Sequence, residues 1–337
     1  MTQMINTTAQ VKENNKKLIL ETLLALKQAT KNTVAKETGL SVATCNTLLN
    51  ELARANEIVV VPQEKKPSGA GRPSKTYCVN HNSYTVCCIS LFRDQGVNTM
   101  GCRIYNSMNY LVAEKEDVKA PVTYDSIHHM LESLTGEYDN IKIISIGIHG
   151  TIDVEGRVQN SCFSSLNGIN LIQNIDRDFA LPVIIDNQIN LITYGFYKQL
   201  EDSTIKNVIT LSFDNMKCTA AGFILNGQLL HGKDNAAGDV SLLSLPPESS
   251  TRGIFRTSTK ASAEDVMAKT ISTFIQLLNP DIILLTGSGI SISLMGILTN
   301  ACSRYIPEEH MPEFSYTKDS STHYQTGLLE MASLYEP

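Results

Sequence analysis

Residues Thr38–Leu52 read TGLSVATCNTLLNEL. Gly39 stops a short helix predicted over Asn32–Thr38, because a left-handed C-terminal residue is most easily glycine. Ser41 is a good N-cap, so a third helix starts after it. Along that helix Val42, Cys45, Leu48, Leu49 and Leu52 recur as an apolar stripe. The opposite face carries Thr44, Asn46, Thr47 and Asn50, short side chains with donors and acceptors but no charge. Upstream, from about Val11, the residues Ile19, Leu23 and Leu26 recur on one face of a first helix, with Lys16, Lys17 and Lys27 elsewhere. Two helices joined by a tight glycine turn, the second with small polar residues near its start, are the plan of a helix-turn-helix.

The next segment supports that plan. Ile58–Val61 and Thr76–Val79 read as two strands of a hairpin, and Lys65–Lys75 (KKPSGAGRPSK) as its tip. Arg72, between glycine and proline, suits a narrow minor groove, where negative potential is enhanced. Lys65, Lys66 and Lys75 would lie over phosphates. Residues 1–80 are therefore expected to form a winged helix-turn-helix that binds double-stranded DNA. Its contacts would come from Ser41, Thr44, Asn46, Thr47, Asn50, Lys65, Lys66, Arg72 and Lys75. A solvated basic linker on a three-helix interaction domain is the plainer alternative.

Charge divides the chain in the same place. Residues 1–80 hold 11 Lys or Arg against 6 Asp or Glu, a balance of +5, and the rest hold 17 against 28, a balance of −11. A basic module on an acidic body suggests that only the first part meets a polyanion. At 337 residues the chain is too long for one ordinary core. No apolar run is long enough to span a bilayer, so no membrane partner is expected. The N-terminus has no secretory pattern. The eight cysteines are scattered without a Cys-x-x-Cys, as reduced thiols in a cytoplasmic protein would be.

From Tyr84 the pattern becomes α/β. Strands are predicted at Thr85–Leu91, Asn98–Tyr105 and Tyr110–Glu116, then a helix at Tyr124–Leu134 and a strand at Ile141–Gly147. A helix at Leu171–Phe179, a strand at Val183–Ile185 and a helix at Asn190–Gln199 follow. A second cycle has strands at Val208–Phe213 and Thr219–Leu225, helix Ala263–Leu278, strand Asp281–Leu285, and helices Ser291–Tyr305 and His323–Tyr335. Only two of its three opening strands are clear. Such a repeat is the signature of a duplicated ribonuclease H-like, actin or sugar-kinase-type fold over residues 84–337. One lobe would cover about 84–200 plus the C-terminal helix, the other about 206–320, with ligands in the cleft between them.

Four stretches carry a family resemblance: ISIGIHGTID (Ile144–Asp153), LPVIIDNQIN (Leu181–Asn190), NGQLLHGKDNAAGD (Asn226–Asp239) and PDIILLTGSG (Pro280–Gly289). In order and spacing the chain resembles the ROK family of repressors, open reading frames and sugar kinases, and its N-terminal module resembles the repressor branch. The resemblance implies a transcriptional repressor of carbohydrate-related genes, a homodimer or homotetramer. It places Gly150, Asn167, Asn187, Gln188 and Asp239 where a sugar or sugar-phosphate effector would be held.

The departures bear on catalysis. Gln188 stands where the family's kinases place the Asp that takes a proton from the sugar hydroxyl. A carboxamide cannot accept it, a loss of ~10²–10⁴ in rate. In Ser212–Gly222 the residues Met216, Lys217 and Cys218 replace the small residues of a phosphate cradle. Ser90 stands where the first phosphate loop has its acid, and Asp94-x-Gly96 reads as a hairpin turn. The zinc motif is absent: Leu242 occupies the histidine position and no cysteine follows nearby. Asp239 is shorter than the family's Glu, which argues against a pocket shaped for a usual hexose. His128 and His129 are expected to point apart on a solvated helix, and His149, beside the cleft, either to contact a ligand or, on the plainer reading, to cap a strand end. No cofactor, metal or catalytic residue is expected. The alternatives are an active sugar kinase with a DNA-binding appendage, or a domain that answers to a protein partner.

Overall fold

The computed structural model describes residues 8–61, 75–94, 97–118, 121–214, 217–240 and 262–335. The chain forms two compact units, Met1–Thr85 with the turn Asn106–Tyr110, and Val86–Tyr105 with Leu111–Pro337.

In the first unit α1 (Thr8–Leu26), α2 (Lys31–Thr38) and α3 (Val42–Arg54) precede the hairpin of β2 (Ile58–Val61) and β3 (Thr76–Val79). A two-residue strand, β1 (Ala29–Thr30), pairs with β3, giving the order β1-β3-β2. Thr30 then caps α2, its hydroxyl accepting from Thr33 N at 3.3 Å. Gly39 ends α2 at φ 71°, a left-handed value at which any side chain is strained. Ser41 caps α3 as expected, accepting from Thr44 N at 3.0 Å. The core joins Ile19 and Leu23 to Val34, Cys45, Leu48, Leu49, Leu52, Ile58 and Tyr77. Two expected core residues lie outside it. Leu26 is 41% exposed because α1 ends there and Lys27 turns the chain away at φ 62°. Val42 is 46% exposed because it occupies the first turn of α3, ahead of the residues that reach the core.

The second unit holds two five-stranded sheets. The first contains β4 (Thr85–Asp94), β5 (Val97–Asn106), β6 (Leu111–Val118), β7 (Ile141–Ile148) and β10 (Val183–Asn187) in the order β10-β7-β4-β5-β6. The second contains β11 (Val208–Asp214), β12 (Lys217–Leu225), β13 (Gln228–Leu229), β14 (Ile282–Thr286) and β15 (Glu313–Tyr316) in the order β13-β12-β11-β14-β15. Numbered within each sheet, both run 3-2-1-4-5. The third opening strand of the second cycle is thus β13, too short to show an alternating pattern, and β15 was not anticipated at all.

Helices α4 (Tyr124–Glu137) and α5 (Leu171–Phe179) share a core with the first sheet. α7 (Ala263–Leu278) and α8 (Ile292–Cys302) share one with the second. Between the sheets lie α6 (Gln188–Lys198) and the C-terminal α9 (Ser321–Ser333), in close contact with each other. Glycine makes that contact possible. A Cβ on Gly195 would stand 1.8 Å from His323 O, and one on Gly327 would stand 2.0 Å from Leu191 O. The six sites where expectation met no described residue are Lys65, Lys66, Arg72, Gly96, Met216 and Leu242, which lie outside the described residues.

Candidate functional site

On the first unit, Asn46, Thr47 and Asn50 are exposed along α3, and Lys75 is exposed just before β3. Thr44 is half-buried and its hydroxyl shares a 2.8 Å hydrogen bond with Ser41 Oγ. Thr47 Oγ1 donates to Ala43 O at 3.2 Å. Ser41 and Thr44 therefore build the helix start, whereas the two asparagines are exposed.

On the second unit the expected effector residues fall into three neighbouring groups. Gly150 and Asn167 meet through Ser161. Asn167 Oδ1 accepts from Ser161 N at 2.9 Å, Asn167 Nδ2 donates to Ser161 O at 3.3 Å, and Ser161 Oγ donates to His149 O at 2.7 Å. Gly150 adopts φ 149°, and a Cβ there would stand 2.8 Å from Ser161 Cα. His149 acts here through its backbone, and its side chain is exposed. A short hairpin, β8 (Thr151–Ile152) with β9 (Val158–Gln159), carries this loop and was not read from the sequence.

Asn187 and Gln188 form the second group, at the start of α6. That helix begins two residues before the expected Asn190, because Asn187 is its N-cap and accepts from Asn190 N at 2.8 Å. Asp186, buried at the end of β10, is the centre of a network missed by sequence reasoning. Its Oδ1 accepts from Asn187 N at 2.7 Å and Asn190 Nδ2 at 2.9 Å. Its Oδ2 lies 2.7 Å from His231 Nε2. The hydrogen bond to Asp186 raises the His231 pKa, against burial and with the help of the carboxylate charge. His231 follows β13 in the second sheet, so the pair spans the two lobes. The signal available beforehand was only a polar residue in each of two resembling stretches.

Gln188 also lines a cavity of about 950 Å³ with Ser90, Phe92, Arg103, Glu114 and Tyr324. Arg103 and Glu114 pair across β5 and β6, Nε to Oε1 at 2.8 Å. Ser90 is buried on β4 and donates to Gly101 O at 3.4 Å, with no carboxylate in its place. Asp239, the third group, is exposed and lines a smaller cavity of about 330 Å³ with Asp153, Glu155, Asn160 and Asp234.

One reading is corrected. His128 and His129 do not diverge: with Glu132 they bring one donor atom each to within 4.8 Å of one another. None of the eight cysteines forms a disulfide. No helix among the described residues is long and apolar enough to cross a membrane.

These features define a class: a mixed α/β protein of sugar-kinase-like fold, preceded by a helical N-terminal unit. The sequence profile of the ROK family matches residues 96–250. The xylose repressor of Bacillus spizizenii is 24% identical over 243 residues, 70% of this chain and 61% of that protein. The match thus spans about three-fifths of that relative's length. Among solved structures, a ROK family transcriptional regulator described as a homologue of the E. coli MLC protein aligns with a TM-score of 0.63 at 15% identity, over 96% of this chain and 98% of that one. The ROK hexokinase of Thermus thermophilus aligns with a TM-score of 0.58 at 13% identity, over 74% of this chain and 98% of that one.

Proposed function

We propose that the chain is a cytoplasmic, sequence-specific DNA-binding transcriptional regulator, a repressor of carbohydrate-related genes. Residues 1–80 act as a winged helix-turn-helix. Residues 84–337 act as a duplicated, ribonuclease H-like domain for effector sensing and oligomerisation, without catalysis. The observation that carries the reading is the uncharged polar face of α3, with Asn46, Thr47 and Asn50 exposed behind the left-handed Gly39 turn. Amides and hydroxyls at the start of an exposed helix match base edges in a major groove. The basic balance of residues 1–80 supports it, as do the relatives named as xylose repressors.

The matching 3-2-1-4-5 orders support duplication. The neutral Gln188 and Ser90 support the absence of phosphoryl transfer, which needs a base and a metal-nucleotide site. A sugar or sugar-phosphate effector would be held by Gly150, Asn167, Asn187, Gln188 and Asp239. A homodimer or homotetramer follows from the need to read two half-sites with one symmetry.

The test is selection of duplexes from random DNA by the full chain, followed by fluorescence anisotropy at increasing salt. A recovered consensus, with log affinity falling linearly in log salt, supports the reading. Recovery of no consensus, or affinity indifferent to salt, overturns it.

A further inference from the structure

The outer face of α4 carries a cluster with no part in the proposed DNA or effector chemistry. His128, His129 and Glu132 lie on it at i, i+1 and i+4. At 100° per residue Glu132 falls between the two histidines, one turn further on. The three donor atoms lie within 4.8 Å of one another. Around a tetrahedral ion with bonds near 2.0–2.1 Å, donors stand about 3.4 Å apart. His129 and Glu132 are exposed enough to rotate toward that spacing.

His128 is held differently. Its ring lies 4.9 Å from Phe179 and meets Tyr124 edge-on at 6.2 Å. Its Nε2 lies 3.9 Å from Asp178 Oδ2. That carboxylate is itself fixed: Tyr124 Oη donates to it at 2.6 Å, and Arg177 donates through Nε at 2.7 Å and Nη2 at 3.1 Å. A metal-bound imidazole usually gives its second nitrogen to such a carboxylate, which orients the ring and raises its basicity. At 3.9 Å the His128 Nε2 is beyond hydrogen-bonding distance of Asp178, so a small turn of the ring is needed to bring one nitrogen to the carboxylate and leave the other for an ion.

We propose that His128, His129 and Glu132 form a surface site for a divalent transition ion of the zinc, nickel or cobalt class, with Asp178 as the carboxylate behind His128. Two imidazoles select against magnesium and calcium, which take oxygen donors. Three protein ligands leave a coordination position for water or an incoming donor. The site is unrelated to the four-ligand zinc motif whose residues the sequence lacks, and it does not depend on the DNA-binding reading.

Tag-free, chelator-treated full-length protein titrated with NiCl2 by calorimetry tests it. One equivalent should bind, and His129→Ala and Glu132→Ala, both exposed and therefore tolerated by the fold, should each weaken binding tenfold or more. Asp178→Asn should keep the stoichiometry and weaken affinity by roughly 10–100-fold, the usual effect of losing an outer carboxylate. Titration with CoCl2 separates this site from the cysteines: imidazole and carboxylate give no sulfur-to-metal charge-transfer band. Absence of binding, equal binding by the His128→Ala/His129→Ala double variant, or a thiolate band would each overturn the proposal.

Discussion

The ion pair of His231 with buried Asp186 makes stability depend on pH in a known direction. Its hydrogen bond to Asp186 raises the His231 pKa in the folded protein. The folded state therefore binds the proton more tightly than the unfolded chain. The contribution is complete below the ordinary imidazole value of about 6.5. It is lost as pH rises through the raised value. His231→Gln should therefore melt below wild type at pH 5.5, and the gap should narrow by pH 8.5. Calorimetric melts across that range check it, and a gap that widens with pH would contradict the assigned pair.

On α3, Ser41 and Asn46 should separate stability from recognition. Ser41→Ala removes the cap and should cost about 1 kcal/mol in urea unfolding. Asn46→Ala should leave stability unchanged and alter the selected DNA consensus, by ~1–3 kcal/mol for a lost bidentate base contact.

At the scale of elements, the α6–α9 contact depends on two absent side chains. Gly195→Ala would place a Cβ against the His323 carbonyl, and Gly327→Ala one against that of Leu191. Backbone atoms cannot rotate away as a side chain can, so the helices must separate. Each substitution should cost roughly 1–3 kcal/mol, the usual range for overpacking. The double variant should cost less than the sum, since helices already parted by one methyl admit the second more easily. Urea unfolding of the four proteins gives the coupling directly. Strictly additive losses would mean that the two glycines relieve separate contacts.

For the whole molecule, the proposed absence of catalysis is testable by repair. Gln188→Asp restores one carboxylate at the start of α6 and leaves Ser90 and the Ser212–Gly222 segment as they are. Neither wild type nor Gln188→Asp should hydrolyse ATP in the presence of hexoses, because a base without a metal-nucleotide site has no phosphoryl group to direct. A coupled assay reads this, and turnover in the wild type would favour the sugar-kinase alternative. Effector binding belongs to the same scale. A sugar or sugar phosphate that binds only the folded state should raise the melting temperature in proportion to the logarithm of its excess over Kd. That shift should be lost in Asn187→Ala.

Local pattern determined much of this protein. The period of apolar residues located α3, α4, α5 and α7 and the long strands, because a buried face must recur at 3.6 or 2 residues whatever it packs against. Gly39 and Ser41 set the start of α3 through backbone conformation alone. Four short stretches carried the family resemblance, and the identity of residues 90 and 188 carried the expectation of lost catalysis. Other features needed the tertiary structure, because they join distant parts of the chain. The two-residue strands β1 and β13 exist only as edges added to longer neighbours, too short for a period of their own. Leu26 and Val42 have the spacing of core residues, and helix ends left them in water. Asp186 and His231 meet across 45 residues, and neither sequence context announces the other. The grouping of His128, His129 and Glu132 lies between these cases. The i+4 spacing was visible, yet the fixed Asp178 carboxylate behind His128 comes from α5, placed there by the packing of two helices on one sheet.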